Sequence, residues 1–418
     1  MPPSSSLRLR AARLPDEAAA LGAADFRAFR EGAPEMWTAY FRDTPQLRHA
    51  HGALVAETAD GALAGVCALL RFELPLLGVD VPAMGIAAVG VVPEHRRQGV
   101  ADRLMREALR RTRRAGVPLA LLYPFSVAFY RRFGYELCEW VDLLRVAPAQ
   151  LPHSPRRAHV RRFERATDEA AVRDLYDRCR RAGATGAFAR DDHWWDDRVF
   201  RRADEWFVFV DPRTRRVEGV LGYAVPPAPA YPYQLASVHD FWAATPDAYA
   251  GLVGALAAFA EQFAKIELTL PRGHGLPLLV EHGRNDIEME SRAHLGAYSA
   301  TCAMARLVDV PAAFAVHPGA RRVRGKLGLD LGDPVFPDQS RSFDVTFGAR
   351  GAPRVVPGRG ARERLALTVG RLSQVYFAAV PASQLLQQGL AQGSPAAAAL
   401  LDAAFAGPPL YLGAANYF

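Results

Sequence analysis

Val89-Gly90-Val91-Val92-Pro93-Glu94-His95-Arg96-Arg97-Gln98-Gly99-Val100-Ala101 reads as an apolar strand, a short basic loop and the start of an amphipathic helix. That order suits a pyrophosphate. The loop offers backbone N–H groups, the helix N-terminus adds partial positive charge, and Arg96 and Arg97 add full charge. Small residues at Gly99 and Ala101 leave room for phosphate oxygens to approach the backbone. The following helix puts Leu104, Met105, Ala108, Leu109 and Thr112 on one face and arginines on the other. On the strand, the main-chain groups of Val89, Gly90 and Val91 are free of bulky polar side chains and can pair with an extended ligand.

Around this stretch the pattern is α/β. Residues 7–14, 53–57, 64–72 and 81–92 read as strands, with Asp60-Gly61 as a hairpin turn. Residues 16–30 have helical spacing. Residues 119–123 form a short apolar strand, 127–133 a helical turn, and 136–145 a further strand. Three prolines in residues 148–155 mark a linker. A second α/β unit follows. Its helix over 246–264 opens with Thr245 as N-cap and Pro246 at the first helical position. No phosphate loop follows a strand there: Arg180-x-x-Gly183-x-Thr185 ends a helix instead of opening one. A third region begins at Arg306-Leu307-Val308-Asp309-Val310-Pro311. Residues 1–6 are expected to be disordered. The aromatic ending Ala415-Asn416-Tyr417-Phe418 is expected to pack into the protein, since loose tails are usually polar.

The chain has 418 residues, half of them hydrophobic, which allows two or three domains. Its formal net charge is +7 and comes almost wholly from arginine, since Lys265 and Lys326 are the only lysines. No basic tract is interleaved with aromatics, so no nucleic-acid groove is expected. Cys67, Cys138, Cys179 and Cys302 are scattered, which argues against a zinc site or a disulfide framework. No signal peptide and no apolar run of membrane-spanning length is evident. A cytoplasmic protein with no metal and no membrane partner is expected.

Tyr130, in Phe129-Tyr130-Arg131-Arg132-Phe133-Gly134-Tyr135, is a candidate general acid. Tyr123 and Tyr135 are rivals that spacing does not exclude. For the base, Glu94 lies near the loop but is expected to face solvent. Asp25, Glu31 and Glu35 lie in the early helical region, where an acceptor could bind. No Ser/His/Asp or Cys/His signature of nucleophilic catalysis stands out.

The segment Arg96-x-x-Gly99-x-Ala101 resembles the acetyl-CoA loop of the GNAT acyltransferases. With Phe129–Tyr135, with Ala244-Thr245-Pro246-Asp247-Ala248-Tyr249, with residues 306–311 and with the aromatic end, the whole chain resembles the Eis-type (enhanced intracellular survival) N-acetyltransferases. These acetylate aminoglycosides and lysine side chains. The resemblance implies an α/β (α+β) fold of tandem GNAT-like domains and a sterol-carrier-like domain, expected at residues 1–150, 156–300 and 301–418. It implies acetyl-CoA contacts at Val89, Gly90 and Val91, at Arg97, Gln98, Gly99, Val100, Ala101 and Asp102, and at Phe125 and Ser126. Tyr130 takes the place of the acid, and the main-chain carboxylate of Phe418 that of the base. Asp25 is the candidate anion and Trp37 the candidate wall of the acceptor site. A homohexamer acting on a small-molecule amine is also implied. The chain departs from the family in having Tyr417 where an acidic residue is expected, and Phe125 and Ser126 where a serine and an acidic residue are expected. A rival reading is a lipid- or apolar-ligand-binding protein with a cofactor-sensing GNAT domain; transfer of a longer acyl group is another.

Overall fold

The computed structural model describes residues 7–227, 234–280, 296–348 and 351–418. The expectation of disorder at residues 1–6 lies outside the described residues. The first part of the chain runs β1 (Arg8–Ala11), α1 (Ala18–Phe29), α2 (Pro34–Asp43), β2 (Ala53–Glu57), β3 (Leu63–Leu76), β4 (Val79–Val91), α3 (Val100–Arg114), β5 (Leu119–Leu122), α4 (Val127–Arg131) and β6 (Glu136–Leu137). The second runs β7 (Trp140–Val146), β8 (Val160–Arg162), α5 (Arg165–Arg181), α6 (Asp192–Trp194), β9 (Glu205–Val210), β10 (Val217–Ala224), β11 (Leu235–Ala243), α7 (Pro246–Ala257), β12 (Lys265–Pro271) and β13 (Gly296–Thr301). The rest runs β14 (Met304–Leu307), α8 (Val310–Val316), β15 (Gly325–Gly332), β16 (Ser342–Phe347), β17 (Arg354–Pro357), β18 (Arg364–Thr368), α9 (Val369–Tyr376), α10 (Ala382–Gln387), β19 (Gln392–Gly393) and α11 (Pro395–Ala404).

These strands make three sheets, ordered β1-β2-β3-β4-β5-β14-β6, β13-β7-β12-β11-β10-β9-β8 and β17-β16-β15-β18-β19. The first two exchange strands. β14 comes from beyond residue 300 yet lies between β5 and β6 of the first sheet, paired Met304↔Leu122 and Met304↔Leu137. β7 lies in the second sheet, between β12 and β13. The expected boundaries at 150 and 301 therefore fall on the wrong side of both strands. Residues 136–145, read as one strand, are broken at Cys138-Glu139, and the halves join different sheets. Glu139 makes the break: its carboxylate accepts the N–H of Ala303 at 3.2 Å and of Leu412 at 2.6 Å. The helix expected over 246–264 ends at Ala257, after which turn-like bonds such as Phe263 N–H to Phe259 O at 2.9 Å take over.

Alternation along the strands sorts the first sheet's side chains between two apolar clusters. Val66, Ala68, Leu70 and Phe72 of β3 face one way with Leu21 of α1. Cys67 and Leu69 face the other way, with Leu104, Met105, Ala108 and Leu109 of α3. So α1 covers one face and α3 the opposite one. Among the described residues no helix is long and apolar enough to cross a membrane.

Candidate active site

β4 and β5 are parallel neighbours that part early. They pair only at Ala83↔Leu119, Met84↔Ala120 and Gly85↔Leu121. On its other edge β4 stays with β3 as far as Gly65↔Val91, interrupted by a bulge near Ala88, which has φ +46°. A bulge bends the strand that carries it and re-aims its groups. The edge of β4 beyond Gly85 is thus left unpaired by β5, in an opening that an extended amide chain fits. Val89 and Val91 are half-buried on this edge and Gly90 is buried.

The loop at the top of β4 has two left-handed residues, Arg97 at φ +61° and Gly99 at φ +78°. A Cβ on Gly99 would meet nothing within 4 Å. Glycine there serves the backbone conformation and leaves the space in front of α3 open. No side chain caps α3, so its first N–H groups face that space. Arg97 and Gln98 are exposed beside it, Ala101 is half-buried, and the Val100 side chain is in the core, leaving its N–H as the group on offer. Arg96 is engaged elsewhere: its guanidinium donates to Ala28 O at 2.6 Å and Val91 O at 3.3 Å, tying α1 to the end of β4. The Asp102 carboxylate is held by Arg106 and Arg132, each at 2.9 Å, and so links α3 to α4. Ser126 caps α4 by accepting the Phe129 N–H at 3.3 Å, and Phe125 is exposed. Glu94 is exposed, as expected, and paired with Arg27 at 2.8 Å.

Tyr130 is buried on the α3 face, with its ring against Phe125 at 5.3 Å and Phe129 at 5.1 Å. Burial, with smaller contributions from Cys67 and Tyr417, raises its pKa and keeps the phenol protonated. The Tyr135 hydroxyl is sealed in without a partner, and Tyr123 lies under Tyr417 at 4.3 Å and Phe418 at 5.2 Å.

Phe418 packs on the α1 face. Its ring is 5.1 Å from Phe72 and touches Gly85, where β4 and β5 part. Asp25 is on α1 and fully buried against Gly90: a Cβ on that glycine would lie 2.1 Å from Asp25 Oδ1. Among the described residues neither Asp25 oxygen has a hydrogen-bond partner, and burial raises its pKa well above its ordinary value. Trp37 stacks on Phe29 at 5.1 Å and donates its N–H to Glu31 O at 2.8 Å. The structure thus places Asp25 and Phe418 on one face of the opening and Tyr130 on the other.

Sequence reasoning foresaw a packed tail but missed what holds it. Leu410 bridges to Glu139. Tyr411 donates its N–H to Thr185 O at 2.9 Å and its hydroxyl to Thr269 O at 2.6 Å. Trp194 Nε1 donates to Ala415 O at 3.0 Å. Asn416 donates to Leu412 O at 2.6 Å and accepts from Arg190 Nε at 2.8 Å. Arg190 is itself buried against Asp240 at 2.6 Å and under the Tyr176 ring at 3.9 Å. The clamp belongs mostly to the second unit, yet it delivers Phe418 to the first.

The model of the acetyltransferase (GNAT) domain matches residues 15–138, and a second model of that description matches 186–307. The sterol carrier protein domain matches 310–413. An uncharacterized N-acetyltransferase of Streptomyces griseus is 27% identical over 352 residues, 78% of this chain and 80% of that protein. N-acetyltransferase Eis of Mycobacterium tuberculosis is 33% identical over 119 residues, 28% of each chain. The chain belongs to the GNAT acetyltransferases. A GCN5-related N-acetyltransferase from Kribbella flavida has the same fold throughout, with a TM-score of 0.79, 26% identity and 99% of each chain covered. The tandem GNAT and sterol-carrier architecture is therefore that of an acyltransferase, and the GNAT family takes its acyl group from acetyl-CoA.

Proposed function

We propose that this chain is an Eis-type enzyme and transfers the acetyl group of acetyl-CoA to a primary amine by direct attack in a ternary complex. Candidate acceptors are an aminoglycoside-like amine, a polyamine or a lysine side chain. The observation that carries this is the placing of Tyr130 and Phe418 on opposite faces of the opening at Gly85.

The loop and the open end of α3 hold the pyrophosphate through the N–H groups of residues 97–102, with Arg97 as counter-ion. Asp102, already held by arginines, positions α3 against α4. The edge at Val89, Gly90 and Val91 pairs with the pantetheine amides and polarises the thioester carbonyl. Residues 125 and 126 contribute backbone groups, since the Ser126 hydroxyl is used as a cap. The amine nitrogen attacks the carbonyl carbon, forming the C–N bond, and the C–S bond breaks. The Phe418 carboxylate takes the proton lost by the amine, directly or through water. Tyr130 gives its proton to the departing thiolate. Asp25 is the acidic side chain nearest the edge of β4, held neutral by its burial until a cationic amine reaches it, and Trp37 and Tyr417 are aromatic walls of the acceptor side. The second unit supplies most of the tail clamp instead of an acetyl-CoA site. The homohexamer implied by the resemblance belongs to this reading.

The test is a CoA-release screen over aminoglycosides, polyamines and lysine peptides with untagged protein. Release with at least one amine is expected, together with its loss when residues are added after Phe418 and its retention with an N-terminal tag. Full activity with the C-terminal extension overturns the terminal base. No release with any amine, and a co-purifying apolar ligand, overturns the enzyme reading of the acceptor.

A further inference from the structure

The second unit repeats the opening found in the first. β11 and β12 run parallel but pair only from Leu235↔Lys265 to Val238↔Leu268. On their outer edges both continue, β11 with β10 to Ala243 and β12 with β7 to Pro271. Beyond Val238 and Leu268 the two strands no longer pair with each other, as beyond Gly85 and Leu121 in the first sheet, and on the β12 side Thr269 O accepts the Tyr411 hydroxyl. A cavity of about 270 Å³ occupies this opening. Phe241, Trp242, Tyr249 and Leu270 line it, together with Pro409 and Tyr411 of the tail.

Among the described residues, its wall holds polar groups but no free charge. The Asp240 carboxylate is bound by Arg190 at 2.6 Å and by Trp242 Nε1 at 2.7 Å. His274 accepts the Leu276 N–H on Nδ1 at 3.1 Å, which puts the proton of the neutral ring on Nε2. Burial lowers the pKa of His274 and of His239, so both rings are neutral. Burial pushes the Tyr249 phenol up to about 12, so it remains a donor. A charged guest would lose its water here without gaining a counter-ion among the described residues. A phosphate has no place at the helix either. α7 begins three residues after β11, and Thr245 closes its N-terminus by accepting the Ala248 N–H at 3.1 Å.

We propose that this opening is a second small-molecule site, distinct from the acyl-transfer site. It takes an uncharged, extended molecule of about the size of a pantetheine arm, with amide or hydroxyl groups and no phosphate. The open strand edges pair with its amides as with an added strand. The aromatic walls cover its apolar stretches, while Tyr249 and His274 donate to its oxygens. The site is coupled to the tail, because Tyr411 forms one wall and Asp240 reaches Asn416 through Arg190. A guest that fits with the tail seated favours the seated tail. The binding claim is independent of the terminal-base reading.

The test is calorimetric titration of pantetheine into the full chain already saturated with coenzyme A. The coenzyme A titration is recorded first, so a failure of the first site is seen separately. One further binding event per chain is expected. Ala243→Trp fills the cavity mouth and weakens that event at least about tenfold. Tyr249→Phe removes one donor and weakens it about fivefold. Both leave the first coenzyme A affinity unchanged. If Ala243→Trp does not fold, His274→Ala takes its place. Three results overturn the proposal: no second event at millimolar pantetheine, an affinity indifferent to the variants, or displacement of pantetheine by a second equivalent of coenzyme A.

Discussion

The ring of Phe418 lies directly over the α-carbon of Gly85. A Cβ on Gly85 would come within 2.7 Å of that ring and within 2.7 Å of Phe72. The last residue of the chain is therefore seated at the point where β4 and β5 separate, and only glycine admits it.

Gly85→Ala tests that seat. Overpacking destabilises the fold by about 1–3 kcal/mol, and displacement of Phe418 lowers kcat/KM by more than about tenfold. Thermal melting and steady-state kinetics read the two effects. Adding Phe418→Leu recovers stability by relieving one clash. Unchanged turnover in Gly85→Ala would show that the position of residue 418 is irrelevant to catalysis.

Tyr130→Phe removes one hydroxyl from a ring that keeps its packing. A fall in kcat of about a hundredfold or more is expected, with the melting temperature and acetyl-CoA affinity unchanged. An unaltered kcat hands the role of acid to Tyr123, Tyr135 or solvent.

Glu139 sets a pH dependence of stability. Burial pushes its carboxyl up to about 7, against three backbone N–H donors that pull it down. In the unfolded chain it returns to its ordinary value of 4.5. Between these values the folded protein holds a proton that the unfolded chain has lost. Stability therefore falls as pH rises from 4.5 to 7, by up to about 3 kcal/mol, and this group contributes no further change above that. Denaturant melts across that range should show the slope, and Glu139→Gln should flatten it. An equal slope in both proteins assigns it elsewhere.

Arg190→Met leaves Asp240 buried without its cation and is expected to destabilise by about 3–5 kcal/mol. Arg190→Met with Asp240→Leu recovers most of that loss. Turnover stays low in both, because Asn416 has lost its donor and the tail its anchor. Recovery of activity along with stability would reduce the clamp to a packing role.

Much of the first unit was legible because local pattern and final structure agree there. The loop at residues 96–101, the apolar face of α3 and the turn into β5 all follow from residue spacing. Glu139 and β14 were not legible for the opposite reason. Trp140–Val146 is an apolar-rich run like other strands, and nothing in its sequence says which sheet receives it. The buried carboxylate that breaks the run is one acidic residue among many until Leu412 and Ala303 are seen to meet it. Asp25 was legible as a candidate through resemblance. Its burial against Gly90 was not, since that depends on the glycine of a different element. The clamp on residues 410–416 draws on residues far apart in the chain, so only the aromatic character of the tail was readable.

The exchange of β7 and β14 also has a consequence for synthesis. A ribosome that has released the first 150 residues has made β5 and β6 but not the strand that lies between them. The nascent first sheet carries an open edge at Leu119–Leu122 until Met304–Leu307 emerges. During that interval β7 also waits for both of its neighbours, β12 and β13. Neither half can mature by itself, and a truncated product is an unfinished sheet with an adhesive edge instead of a smaller enzyme.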